Sequence, residues 1–318
     1  MKHIVSVSLG SSKRDKRSEV EIAGERFLIE RIGTDGDLNR FRALFAELDG
    51  KVDALGIGGA DLHIWVGNRR YTFRSIQKLV SVAKKTPVVD GSGLKNTLER
   101  EAVRWLQTHG VIDFTRSVVL LMSAVDRFGM AQELARCAKQ VIYGDLVFAV
   151  GIPIPIRSYR TVEWLGRILL PLIVRLPFQW FYPTGEKQEQ RTPRAPHLFN
   201  QADVVAGDWH YIRRYMPEHL PGKRVITNTV RRADIELLRE AGVAQLITTT
   251  PVVEGETFAT NVMEGVIVAL TGRHPDMLTP QDYLRMLQQL GWQPGVIDLQ
   301  QAVATAVVAD SGTVCPAE

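Results

Sequence analysis

The chain has 318 residues, 45% apolar and 23% charged, a composition that supports a buried core and excludes both a disordered chain and a small disulfide-held one. With 39 basic against 35 acidic residues the net charge is +4, too small an excess to imply nucleic acid as a partner. Cys137 and Cys315 stand alone, without the second Cys or His pair that a zinc ribbon needs, so a reduced, cytoplasmic setting and no structural metal are expected.

The N-terminus places its basic run after a short apolar stretch, the reverse of a secretory signal, so no export is expected. Residues 4–9 (IVSVSL) read as a strand. Residues 19–22 and 27–32, joined by Ala23-Gly24-Glu25-Arg26, read as a hairpin, with the polar SSKRDKRS before them as a loop. Leu38, Phe41, Leu44, Phe45 and Leu48 recur at helical spacing and predict a helix over 37–48 that stops at Gly50. Strands follow at 54–57 and 88–89, with helices near 75–84 and at 95–107.

After Gly110 the alternation becomes regular. Residues 118–122 (VVLLM) are apolar on both faces, as a central parallel strand covered by helices must be. A helix at 129–138 and a strand at 140–143 follow. Later strands fall at 203–206, 224–227 and 245–248, with helices at 233–241 and 261–270. An insertion over about 151–200 separates the second and third strands of this series. Its segment 161–182 carries Glu163, Arg167, Pro171, Arg175 and Pro177, so it is a poor membrane span and reads as a buried or interfacial helical pair. A lid, a homodimer contact or a membrane-surface element are its functional readings.

This pattern predicts an α/β protein with three parts. An α/β substrate-binding domain occupies 1–113, and a Rossmann-like doubly wound parallel sheet with the helical insertion occupies 114–272. A helical tail covers 273–318.

Two constellations carry candidate chemistry. Between Val118 and Asp145, a strand, a loop and a helix are followed by an acid at the spacing of a dinucleotide-binding unit, in which backbone N–H groups approach a diphosphate and the acid holds ribose hydroxyls. That reading assigns Ser123, Ala124, Arg127, Phe128, Gly129 and Asp145 to cofactor binding, with Asp145 favouring NAD over NADP. Asp126 lies where bare backbone would touch phosphate and needs Arg127 or a cation to offset it. The plainer alternative is a helix start, with Ser123 or Asp126 as cap and Gly129 allowing close packing.

The second constellation is Asp90-Gly91-Ser92-Gly93-Leu94-Lys95-Asn96, at the end of one strand and the start of a helix. Asp90 and Lys95 could meet as a carboxylate–ammonium pair that moves a proton, with Gly91, Ser92 and Asn96 on the substrate. A helix cap with a solvated Lys95 is the alternative. Thr248 and Thr249, with Thr227, Asn228 and Thr229, end strands that could line the nicotinamide side of a cleft. His210 is the best histidine for proton transfer, and Lys187 lacks the spacing of a phosphate loop.

The segments MKHIVSVSLGSSKRDK, VVDGSGLKNTLER, SAVDRFGMA, YPTGEKQE and RYMPEHL resemble a bacterial family labelled quinate 5-dehydrogenase or shikimate/quinate dehydrogenase-like. The resemblance implies hydride transfer from a ring hydroxyl of a cyclohexane carboxylate to NAD(P). It gives Asp90 the acid/base position of the Asp-Gly-x-Gly element, makes Lys95 the substitute for the family's lysine, and makes Ser6 and Ser8 the echo of its Ser-x-Ser substrate clamp. The glycine-rich phosphate loop is replaced here by residues 123–129. The expected function is therefore an NAD(P)-dependent dehydrogenase of a small carboxylate. Its alternative is a non-redox nucleotide- or acidic-metabolite-binding protein, a sensor or scaffold.

Overall fold

The structure is a computed structural model and describes residues 1–177, 191–228, 230–250, 252–253, 256–257 and 259–300. In chain order the first half contains β1 (Lys2–Ser8), β2 (Lys16–Ile22), β3 (Glu25–Gly33), α1 (Leu38–Leu48), β4 (Ala54–Gly58), β5 (His63–Val66), β6 (Arg69–Thr72), α2 (Arg74–Val80), β7 (Val88–Val89) and α3 (Ser92–Thr108). The second half contains β8 (Val118–Leu121), α4 (Phe128–Cys137), β9 (Gln140–Tyr143), α5 (Tyr159–Ile173), α6 (Pro196–Gln201), β10 (Val204–Ala206), α7 (Trp209–Tyr215), β11 (Arg224–Thr227), α8 (Arg232–Glu240) and β12 (Gln245–Thr248). It ends with β13 (Val252–Val253), β14 (Glu256–Thr257), α9 (Thr260–Thr271), α10 (Pro280–Gln289) and β15 (Gly295–Asp298).

The result is a mixed α/β fold with two largely parallel sheets. The first runs β2-β3-β1-β4-β7, with β2 antiparallel to β3 and the other pairs parallel. Its expected hairpin forms, turning at Ala23 and Gly24, both at positive φ. Strand alternation sorts its side chains. Val5, Val7, Leu55 and Ile57 pack on Phe41 and Phe45 of α1 and Ile76 of α2, while Ile4, Ala54 and Phe27 face Val262 and Val266 of α9.

The second sheet runs β15-β12-β11-β10-β8-β9, parallel except for β15, which pairs antiparallel with β12 at the edge. Both of its faces are covered. Val119, Leu121, Val204 and Ile226 meet Val103, Leu106, Met130 and Leu134 from α3 and α4. Leu120, Val205, Val225 and Leu246 meet Leu198, Ile212 and Leu238 from α6, α7 and α8.

Several elements depart from the sequence expectation. The hairpin β5–β6 was not anticipated, because its four-residue strands lie in a stretch where polar residues and arginines break the alternation. The strand β2 starts inside the expected polar loop. The insertion holds a single helix over the first part of 161–182; residues 178–190 lie outside the described residues, Lys187 among them. The tail over 273–318 is not purely helical, since β15 follows α10, and residues 301–318 lie outside the described residues. Finally, α9, expected to close the second region, packs on β1, β4 and β7 of the first sheet.

Candidate functional site

The carboxyl ends of strands from both sheets converge on one cluster of charges. Arg127, just after β8, has no exposed side-chain surface and is the centre of the cluster. Its guanidinium donates to Glu99 of α3 and, at 3.0 Å, to Asp208 after β10, and its Nε lies 3.5 Å from Asp126. Burial works against the Arg127 charge, but Glu99, Asp126 and Asp208 outweigh it and hold its pKa above the usual arginine value. Burial pushes the Glu99 carboxyl up to about 7, even with Arg127 beside it. Asp208 stays ionised: burial opposes its charge, and Arg127 overcomes that, bringing its pKa down to about 2.

Lys95 joins this network from the first turn of α3. Its Nζ lies 2.6 Å from Asp126 Oδ1 and 3.9 Å from Asp61, which follows β4. The expected pair with Asp90 does not form. Asp90 instead accepts the backbone N–H groups of Leu62 (2.7 Å), His63 (2.6 Å) and Ser92 (3.1 Å), which fastens the start of β5 to the end of β7. Burial disfavours the Lys95 ammonium, yet Asp126 and Asp61 raise its pKa above the ordinary value. A proton relay through Lys95 needs the opposite shift, and Lys95 is paired with Asp126 where the sequence reading had it pair with Asp90.

In the expected dinucleotide loop, the acid faces the chain itself. Asp145 is buried, and its carboxylate accepts from Ala124 N (3.0 Å), Val125 N (2.9 Å) and Ser123 Oγ (3.3 Å). Two of the loop N–H groups, those of Ala124 and Val125, are therefore already taken by the acid expected to hold ribose. Burial raises the Asp145 pKa, with these donors acting against the shift. Gly129 serves packing: a Cβ there would press on the Asn96 carbonyl oxygen and come within 2.7 Å of Asn96 Oδ1, so α3 and α4 cross in close contact. Phe128 is buried against Tyr159, ring centroids 5.5 Å apart.

The remaining expected residues are placed as follows. Ser6 Oγ accepts from Asn261 Nδ2 at 2.8 Å, and the same amide donates to Ile57 O at 2.9 Å, tying α9 to β1 and β4. Ser8 Oγ accepts from Gly10 N (3.1 Å) and Arg31 (3.0 Å), so the serine clamp is engaged within the protein. Gly91 has φ +88°, a conformation that suits glycine, and donates its N–H to Glu264 at 2.7 Å; its Cβ would strike Asn261 N at 2.7 Å. Thr248 and Thr249 are fully buried, and Thr249 O accepts from Trp292 Nε1 at 3.0 Å. His210 is exposed and begins α7 under the Asp208 cap, which accepts its backbone N–H at 2.9 Å. Thr229 lies outside the described residues.

Beside the network a small recess opens, lined by His63, Trp65, Ser92, Lys95, Asn96, Asp126 and Phe128. The indole Nε1 of Trp65 is buried and has no hydrogen-bond partner, an unsatisfied donor of a kind that native interiors seldom retain. Sequence reasoning did not assign His63, Trp65, Glu99 or the acid partner Asp208 to a site. Two signals were available: His63 and Trp65 are two apart in β5 and so share a face, and Glu99 follows Lys95 by four residues on α3. Among the described residues no group of three or more His, Cys, Asp or Glu is set to hold a metal ion.

Two family models match the chain, one described as Domain of unknown function (DUF8753) over residues 3–90 and one as Domain of unknown function (DUF8754) over residues 93–299. No curated protein matches it. Among solved structures it is similar to an ABC transporter periplasmic solute binding protein from Actinobacillus succinogenes 130z with bound D-allose, at 10% identity and TM-score 0.36, covering 96% of this chain and 100% of that one. It is similar to a sugar ABC transport system substrate-binding protein from Bordetella parapertussis 12822, at 12% identity and TM-score 0.36, covering 94% and 89%. A third similar structure is the hetero-hexameric glutamate dehydrogenase from Thermus thermophilus in its Leu-bound form, at 13% identity and TM-score 0.43, covering 91% and 73%. Neither family model is described as a quinate or shikimate dehydrogenase. The family models that match, and the engagement of Ala124 N and Val125 N by Asp145, correct the expected family resemblance and the NAD(P)-dependent oxidation of a cyclohexane carboxylate.

Proposed function

We propose that this chain, which belongs to the family described as Domain of unknown function (DUF8754), is a non-redox binding protein for a small, neutral, polyhydroxylated molecule. The observation that carries the reading is the recess that brings Lys95, Asn96 and Asp126 together beside Trp65 and Phe128, with the Trp65 indole N–H buried and unpartnered. A hydroxyl oxygen would accept from Trp65 and Lys95, and hydroxyl hydrogens would reach Asp126 and Asn96. The aromatic faces of Trp65 and Phe128 suit the C–H faces of a sugar-like ring.

Charge balance argues for a neutral ligand over an acidic one. Lys95 is neutralised by Asp126, and Arg127 by Glu99 and Asp208, so the recess has no spare cation for a carboxylate. The position is also the one that a doubly wound reading favours. The parallel strands of the second sheet run β9-β8-β10-β11-β12, and such sheets take ligands outside their carboxyl ends where the order reverses, here between β8 and β10. Arg127 bridges that point to Asp208.

Isothermal titration calorimetry with a panel of neutral monosaccharides and cyclic polyols tests the proposal. Saturable binding by at least one of them is expected, weakened about fivefold in Trp65→Phe, which keeps the ring and deletes the N–H worth about 1 kcal/mol. Absence of binding across the panel, or equal affinity in the Trp65→Phe protein, would overturn it. A sugar acid that binds more tightly than its neutral counterpart would overturn the neutral-ligand assignment.

A further inference from the structure

Seven of the ten large apolar side chains left exposed among the described residues fall within 150–172. On α5, Trp164 is 61% exposed and Leu172 60%, and with Ile168 they recur every four residues as one outward stripe. The other side of the helix is already in use. Val162, Gly166 and Leu170 are buried, and a side chain at position 166 would press on Val66 of β5 at 3.0 Å. α5 is therefore clamped to the molecule by one apolar face while it presents a second. A helix at a solvated surface of a globular protein has one such face, so the second calls for a partner.

Charge selects the partner. Residues 150–177 carry Arg157, Arg160, Arg167 and Arg175, all exposed, against a single acid, Glu163, which Arg167 engages at 2.5 Å. A second copy docking by the same face would bring these arginines together, a like-charge contact that opposes association. A bilayer rich in anionic phospholipid answers them instead, and tryptophan beside arginine is a pairing that the headgroup region favours. The helix cannot cross: its 15 residues span about 22 Å against a hydrocarbon core of about 30 Å, and no helix among the described residues is long and apolar enough to do so.

We infer that α5 docks on the surface of an anionic phospholipid bilayer, with Trp164, Ile168 and Leu172 entering the headgroup boundary and the flanking arginines pairing with lipid phosphates. This interaction is independent of the ligand recess. Flotation of the full chain with vesicles of phosphatidylcholine alone, and with phosphatidylserine added, tests it. The protein should float only with the anionic vesicles, and less as salt is raised. Arg160→Ala and Arg175→Ala should each lower the partition about fivefold, the equivalent of about 1 kcal/mol per basic residue near the surface. Ile168→Asp, an exposed position whose change leaves the unfolding midpoint in place, should abolish flotation.

Protein that stays in the supernatant, floats equally with phosphatidylcholine alone, or floats unchanged as Ile168→Asp overturns the inference. So does a dimer, seen by sedimentation velocity in protein that does not float, which Ile168→Asp splits; the second copy is then the occupant.

Discussion

Arg127 is held at the junction of the two sheets by three carboxylates, and its burial sets what each can do. Removing the guanidinium would strand Glu99 with 1% of its side chain exposed, the kind of change that costs about 3–5 kcal/mol because a buried charge loses its partner. A second buried acid, Glu264 on α9, has no cation in its hydrogen-bond set. It accepts from Gly91 N (2.7 Å) and Tyr283 Oη (2.6 Å), and burial, reinforced by Asp90, pushes its pKa from 4.5 up to about 7. A carboxyl whose folded pKa is raised binds its proton more tightly in the native state. Its contribution is complete below about pH 4.5 and is lost as pH rises through 7. Urea unfolding should therefore show stability falling between pH 5 and 8, by up to about 3 kcal/mol from this group. Glu264→Gln, which cannot ionise, should flatten that part of the profile. A slope unchanged by the substitution would show that Glu264 does not titrate in this window.

At the scale of elements, α3 is the member on which the site depends, since it supplies Ser92, Lys95, Asn96 and Glu99 and packs on both α4 and α10. Much of it was legible. The strand ends, the glycines at 91 and 93 and the polar run after them pointed to a helix start. Chain-local signals, however, do not say which distant residue fills a space. Asp145 sat at the spacing of a ribose ligand, and the sequence carries no mark that its carboxylate turns back onto Ala124 N and Val125 N. The same holds for Asp126, read as an obstacle to phosphate and found as the partner of Lys95. The hairpin carrying Trp65 was hidden because its strands are only four residues long and half exposed, so neither period stands out. Gly129 was legible as a close-packing glycine, although the neighbour is α3 and not a strand or a phosphate. Gly129→Ala should lower stability by about 1–3 kcal/mol, because the added methyl meets the Asn96 backbone oxygen and α3 cannot yield without moving Lys95. Chemical denaturation measures the loss, and calorimetric titration of the ligand should show a parallel weakening. A variant as stable as the parent would mean the two helices separate freely.

For the molecule as a whole, the chain does not finish one layer before starting the next. It builds the first sheet, passes through the second, and returns with α9 to cover the face of β1, β4 and β7 that carries Ile4, Ala54 and Val89. Asn261 and Glu264 then lock that return through Ser6, Ile57 O and Gly91. Gly265 fits this closure because a side chain there would press on Ile4 at 2.9 Å. A domain taken as 1–113, as the composition and alternation of the sequence suggest, would leave that sheet face in water. Exposing Ile4, Phe27, Ile29 and Val89 costs about 1.5–3 kcal/mol each, enough together to exhaust the roughly 5–15 kcal/mol that stabilises a domain. A fragment of residues 1–113 should accordingly bind a hydrophobic dye and unfold without a cooperative transition. Adding residues 259–300 in trans should restore a sigmoidal urea curve, through the packing of α9 and α10 on β7 and α3. Cooperative unfolding of residues 1–113 by themselves would show that α9 is an ornament on a self-sufficient layer and that the sheet faces are closed by some other means.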